Sequence, residues 1–203
     1  MKALIALPLL LAVSAGPHRA TFPGLFGRVR SPSSSAEVFY CQHGEEPGDY
    51  KLKFMDSSGR IFFLEYFQRS VDVVWSPAGT RFFVTDYVGS NITDCIVARP
   101  QRGRVRGVTL TGIISRTAGH PTGVESSERA HYYVHCDRWV SDRLVEGEID
   151  GHTDEARMYD FHYPFLYDAA TRRLAWLSKE PQPPPPWPPL RKFVSRPAKE
   201  LCR

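Results

Sequence analysis

The chain has 203 residues, of which 42% are hydrophobic and 12% aromatic, the composition of a folded protein with a real core. A formal net charge of +4, with basic and acidic residues interspersed, is too weak and too dispersed to argue for a nucleic-acid binder. Past the N-terminal segment no apolar stretch reaches the roughly 20 residues that span a bilayer, so stable membrane insertion is not expected either.

In chain order, the first segment reads as a signal peptide, residues 1–15. Lys2 gives the positive n-region, Ala3 to Ala12 an apolar run broken only by Pro8, and Val13-Ser14-Ala15 the small residues of a cleavage site. Cleavage after Ala15 takes fifteen residues from 203 and leaves 188. The mature protein is expected in the periplasm or secreted. In such an oxidising compartment the four cysteines read as two disulfides, because no Cys-x-x-Cys zinc spacing is present. The pairing expected is Cys95 with Cys136 and Cys41 with Cys202.

Residues 16–35 are rich in Pro, Gly and Ser and read as a flexible lead-in. A single β-rich domain is expected over 36–179. Glu37 to Cys41 reads as a strand. Asp49 to Met55, the turn Ser57-Ser58-Gly59 and Arg60 to Phe67 read as a β-hairpin. Val71 to Trp75 and Arg81 to Asp86, joined by Ser76-Pro77-Ala78-Gly79, read as a second hairpin, with Pro77 and Gly79 setting the turn. Cys95 to Ala98 is a short strand. Residues 99–107, rich in Arg and Gly, read as a surface connection, and Val108 to Ile114 as a strand. Thr122-Gly123-Val124-Glu125 has capping-box spacing, which predicts a helix running to about Asp137. Arg157 to Tyr167 and Leu174 to Leu177, around Asp168 to Arg172, read as a third hairpin. Residues 180–203 form a Pro-rich tail. Its segment 181–189 holds seven prolines and reads as polyproline II, either a spacer or a strap.

The run Val73 to Thr85, with Trp75-Ser76-Pro77-Ala78-Gly79-Thr80 at its centre, resembles the repeat of β-propellers of the TolB and prolyl-oligopeptidase type. Tyr167 to Leu174 resembles the end of such a blade. The resemblance implies a Trp packed between sheets beside a tight turn. It implies no chemistry, since propeller repeats bind many ligands. A closed propeller needs at least four blades of about 40 residues, more than this chain holds. The expected fold is therefore mainly β with one helix: antiparallel blade-like sheets, incomplete propeller-like or sandwich-like, and not a full closed propeller.

Three groups of residues invite a chemical reading. On the predicted helix, Glu128, His131 and His135 share one face, and His131 and His135 have the i, i+4 spacing of two imidazoles on one metal ion. The zinc-protease pattern would need Glu where Tyr132 stands, so that class is excluded. The loop Asp86 to Asp94 gathers oxygen ligands without EF-hand spacing, and Asn91-Ile92-Thr93 is a glycosylation sequon. Asp150, His152, Asp154 and Glu155 form a second polar cluster, but no Gly-x-Ser-x-Gly elbow accompanies it.

No catalytic residue and no cofactor is assigned on these patterns; a metal ion at Glu128, His131 and His135 is the one candidate. The function expected is that of an exported, non-catalytic protein that binds a protein or a cell-envelope component, with no nucleic acid as partner. Two alternatives stand beside it: a metal-dependent enzyme working through His131 and His135, and an inhibitor or immunity-type protein of an exported enzyme.

Overall fold

The computed structural model describes residues 18–44, 48–90, 92–101, 103–117, 130–153, 161–178 and 196–197. The described chain is mainly β. Its strands are β1 (Arg19–Phe22), β2 (Arg28–Arg30), β3 (Glu37–Gln42), β4 (Tyr50–Met55), β5 (Ile61–Phe67), β6 (Val71–Trp75), β7 (Phe82–Asp86), β8 (Ile92–Gln101), β9 (Arg104–Thr109), β10 (Ala130–Trp139), β11 (Leu144–Thr153), β12 (Phe161–Asp168), β13 (Arg173–Trp176) and β14 (Arg196–Pro197). One helix, α1 (Leu110–Thr117), follows β9 directly.

The smaller sheet runs β14-β5-β4-β3-β2. The larger runs β1-β6-β7-β8-β10-β11-β12-β13, with β9 also paired to β8. Neither closes into a barrel or propeller. All pairings are antiparallel except β8 with β10, which meet in parallel over Tyr132↔Ile92 and Tyr133↔Thr93. The three expected hairpins form: β4 with β5, β6 with β7, and β12 with β13.

Strand alternation explains the layers. On β7, Phe82 and Val84 face one way and Phe83 the other. Phe82 and Val84 join Val38, Leu52, Phe54, Leu64, Val73 and Trp75 in a core between the small sheet and the first strands of the large one. Phe83 joins Cys95, Val97, Leu110, Ile114, Val134, Ile149, Phe165 and Tyr167 in a second core, under α1 and β10–β12. All five residues of β7 are buried, so both faces of this strand serve as core. That is why Phe82-Phe83-Val84 reads as a continuous apolar run.

Strand β10 crosses this middle layer. The Thr85 hydroxyl donates to the Cys136 carbonyl at 3.3 Å, and the Trp139 indole N–H donates to the Val74 carbonyl at 3.1 Å. Cys95 and Cys136 are disulfide-bonded, with Cα atoms 5.8 Å apart, which fastens β10 to β8. Cys41 is disulfide-bonded too, and no described cysteine is free. Its expected partner, Cys202, lies outside the described residues.

Four expectations are corrected. The helix expected from Thr122 to Asp137 is, over its described part, the strand β10. Val108 and Thr109 end a strand, but Leu110–Thr117 is helical, with Leu110, Ile113 and Ile114 buried at i, i+3 and i+4. The supposed connection at 99–107 is largely the β8–β9 hairpin. The lead-in at 16–35 is not slack where it is described. β1 pairs with β6, β2 pairs with β3, and Phe22 is wholly buried against Tyr40. Of the Pro-rich tail, Arg196–Pro197 pair with Phe63 and Phe62 of β5; the polyproline run lies outside the described residues.

Candidate functional site: the outer face of β10–β12

Alternation also builds the site. On β10, Val134 and Cys136 point into the second core, so His131, Tyr133 and His135 point outward. On β11, Val145, Gly147 and Ile149 are buried, which turns Glu146, Glu148, Asp150 and His152 out. On β12, Phe165 and Tyr167 are buried and His162 is outside. Register then sets the neighbours: His131 opposite His152, Tyr133 opposite Asp150, His135 opposite Glu148, and Asp150 opposite His162. Four of the chain's seven histidines share this face.

The contacts along it are lateral. The His131 and His152 rings stack with centroids 4.2 Å apart and 13° between planes. The Tyr133 hydroxyl donates to the Ser90 carbonyl at 2.8 Å and lies 3.3 Å from His131 Nδ1. A hydroxyl has a single proton, and here it is given to the carbonyl. His135 Nε2 lies 3.6 Å from Asp150 Oδ1, and His162 Nε2 lies 3.5 Å from Glu148 Oε2. Arg138 bonds Glu146 through two nitrogens, at 3.0 and 2.6 Å, just past the register shift between Cys136 and Arg138.

Burial pushes the Asp150 carboxyl up; His135 opposes the shift and Glu148 adds to it. Burial likewise raises Asp137, helped by Glu148. At the rim, the Tyr87 ring sits 6.0 Å from His135, and its hydroxyl donates to Asp72 at 3.3 Å. Burial and the Asp72 charge raise the Tyr87 phenol. Asp72 in turn accepts from Arg19 and Thr21, so β1 anchors this rim.

The metal expectation changes with the secondary structure. Four residues along a strand span about 13 Å, so His131 and His135 do not share one ion. Glu128 lies outside the described residues. Among the described residues no group of three or more His, Cys, Asp or Glu is placed to hold a metal. In the second polar cluster, Asp150 and His152 belong to the face, whereas Asp154 and Glu155 lie outside the described residues. In the oxygen-rich loop, Asp94 serves a neighbouring element: Thr111 donates to it from both its amide, at 3.3 Å, and its hydroxyl, at 2.7 Å, at the start of α1.

Sequence reasoning missed Tyr133, Glu148 and His162 as members of one surface. The signal was the period-two spacing His131, Tyr133, His135 against Val134 and Cys136, matched by Glu146, Glu148, Asp150 and His152. A comparison of the chain with protein-family models, characterised proteins and solved structures gave no match.

Proposed function

We propose that this is an exported, disulfide-stapled protein that acts without catalysis, by binding a protein partner across the outer face of β10–β12. One observation carries the reading. Rings and carboxylates form a continuous outward strip in which each group contacts a cross-strand neighbour. Catalysis asks for groups that converge on one point beside a shielded reacting atom. Recognition asks for tyrosine, histidine and charge laid side by side on a rigid sheet. Export is supported by the signal-type N-terminus and by the Cys95–Cys136 bridge in the second core.

Placing a photo-crosslinking amino acid at His152, with Ser57 in the exposed β4–β5 turn as the control position, tests the binding face. One discrete cross-linked species from position 152 and none from position 57 is the expected outcome. Identical products from both positions, or none from either, would end the reading. N-terminal sequencing of the exported protein tests the leader: the expected first residue is Gly16, and a retained Met1 contradicts it.

A further inference from the structure

The β8–β9 hairpin brings charge to a place the sequence alone left as a connecting segment. Arg99 and Arg106 sit directly opposite each other in register. Like charges so placed destabilise an antiparallel pair. Strand alternation puts both on the side of Val97 and Val108, the side that faces the β12–β13 turn. Between hairpin and turn lies a cleft of about 270 Å³. Arg81, Arg99, Arg106 and Arg172 line it, with Gln101 and the buried Tyr167. No carboxylate is among its described lining residues.

The nearest acids are already engaged. Asp168 is held by both Arg143 Nε, at 2.7 Å, and Arg143 Nη2. Asp142 accepts from the Ala78 amide, and its backbone carbonyl accepts from Arg81 at 3.0 Å. None of the four cleft arginines forms an ion pair with a described residue. Burial and the neighbouring Arg99 weigh against the charge on Arg81, and Asp142 and Asp168 offset them only in part.

Arg172 adds an independent sign. Its φ is +58°, the only positive value at a described non-glycine residue. Glycine would hold that turn position at no steric cost. A side chain kept there against backbone preference points to work done by the side chain.

The geometry assigns this cleft as a binding site for a tetrahedral oxyanion, the phosphate or sulfate group of a ligand. Four guanidinium forks offer more N–H donors than a carboxylate can accept, and a phosphate or sulfate has the oxygens and charge to meet several at once. The volume suits one such group and part of what carries it. The bound anion would also relieve the Arg99–Arg106 repulsion. None of the four arginines stands on β10–β12, and Tyr167 meets the cleft from the buried side of β12 rather than its outer face, so neither assignment depends on the other.

The test uses the purified mature protein and inorganic phosphate, with chloride at matched ionic strength as the control. Calorimetric titration and thermal melting read binding; co-sedimentation with phosphatidylglycerol vesicles, against phosphatidylcholine, reads a lipid-borne source. One-to-one phosphate binding with a raised Tm, absent in R99Q/R106Q, is expected for a soluble ligand. Binding to phosphatidylglycerol alone, lost in the same variant, would keep the site and make its anion a headgroup. R172G should weaken binding at least tenfold while its Tm without anion stays level or rises, since glycine accepts the positive φ. The assignment is overturned if phosphate does no more than chloride and neither vesicle binds. It is equally overturned if R172G and R99Q/R106Q bind like the parent protein.

Discussion

Asp150 shows how one carboxylate can serve a surface at a cost to the fold. Its Oδ1 atom is buried without a hydrogen-bond partner, 3.6 Å from His135 Nε2. Burial raises its carboxyl, so the charged form is disfavoured in the folded state. The sign follows from linkage: a raised acid penalises folding above its folded-state value, and the penalty fades as pH falls toward the ordinary carboxylate range. Asp150→Asn is therefore expected to raise stability at pH 7 and to lose that advantage in acid. The gain should be at most about 0.5 kcal/mol, because solvent screens a side chain that is 38% exposed. Urea denaturation of both proteins at pH 7 and pH 4 reads the difference. A variant less stable at pH 7 would mean that the His135 contact outweighs burial. Asp168 is the opposite case: its bonds to Arg143 and to the turn amides hold its carboxyl well below the usual range.

Among elements, the Ser76–Gly79 turn repays comparison with its sequence. Gly79 donates to the Ser76 carbonyl at 2.8 Å and sits at φ +65°. A Cβ there would lie 2.2 Å from Ser31 Oγ and 2.9 Å from Pro32 Cδ, because the turn docks on the stretch between β2 and β3. Gly59, in the β4–β5 turn, has φ +82° and open space around it. Gly59→Ala should thus cost only the left-handed penalty, about 1 kcal/mol. Gly79→Ala should cost about 1 kcal/mol more than that, as the β2–β3 stretch shifts. Equal urea midpoints for the two would show the docking to be slack.

The same elements show what the sequence discloses. Both hairpins of β4–β7 were legible, because alternation and turn chemistry are local signals; an even cysteine count foretells bridges, but only the fold picks Cys95–Cys136 from three pairings. β10 was not: a capping-box spacing outweighed the alternation of His131, Tyr133 and His135, and only the neighbouring β11 fixes the strand. β1 and β2 have four and three residues, too few for any period to register. Their partners, β6 and β3, decide them. Phe22→Ala measures this directly. A wholly buried ring should cost about 3–5 kcal/mol on truncation, and a slack lead-in would cost almost nothing.

For the whole molecule, two cores share one middle layer, and the second is joined to it by little backbone pairing. β8 and β10 meet at two register positions, where β10 and β11 meet at nine. The Cys95–Cys136 bridge, closing 41 residues, supplies what the pairing lacks. Cys95→Ser with Cys136→Ser should lower stability by about 4 kcal/mol. Hydrogen exchange should then report faster opening of β10–β12 while β3–β7 keep their protection. Uniform loss across both regions would show instead that the layers unfold as one. The order bears on recognition, since the proposed binding face rests on the strands that the bridge secures.

The N-terminal run, finally, lies at the end of both sheets: β1 beside β6 in the large one, β2 beside β3 in the small one. Thirteen positions, 18–30, thus shield two different strands from other chains. If that run peels away, the molecule carries two unlike open edges at once. Each freed edge offers unpaired N–H and C=O groups to a strand of another copy, so one molecule could be joined at two separate places. The residues that the composition reads as a slack lead-in are therefore the cover over two strand edges through which copies would otherwise join.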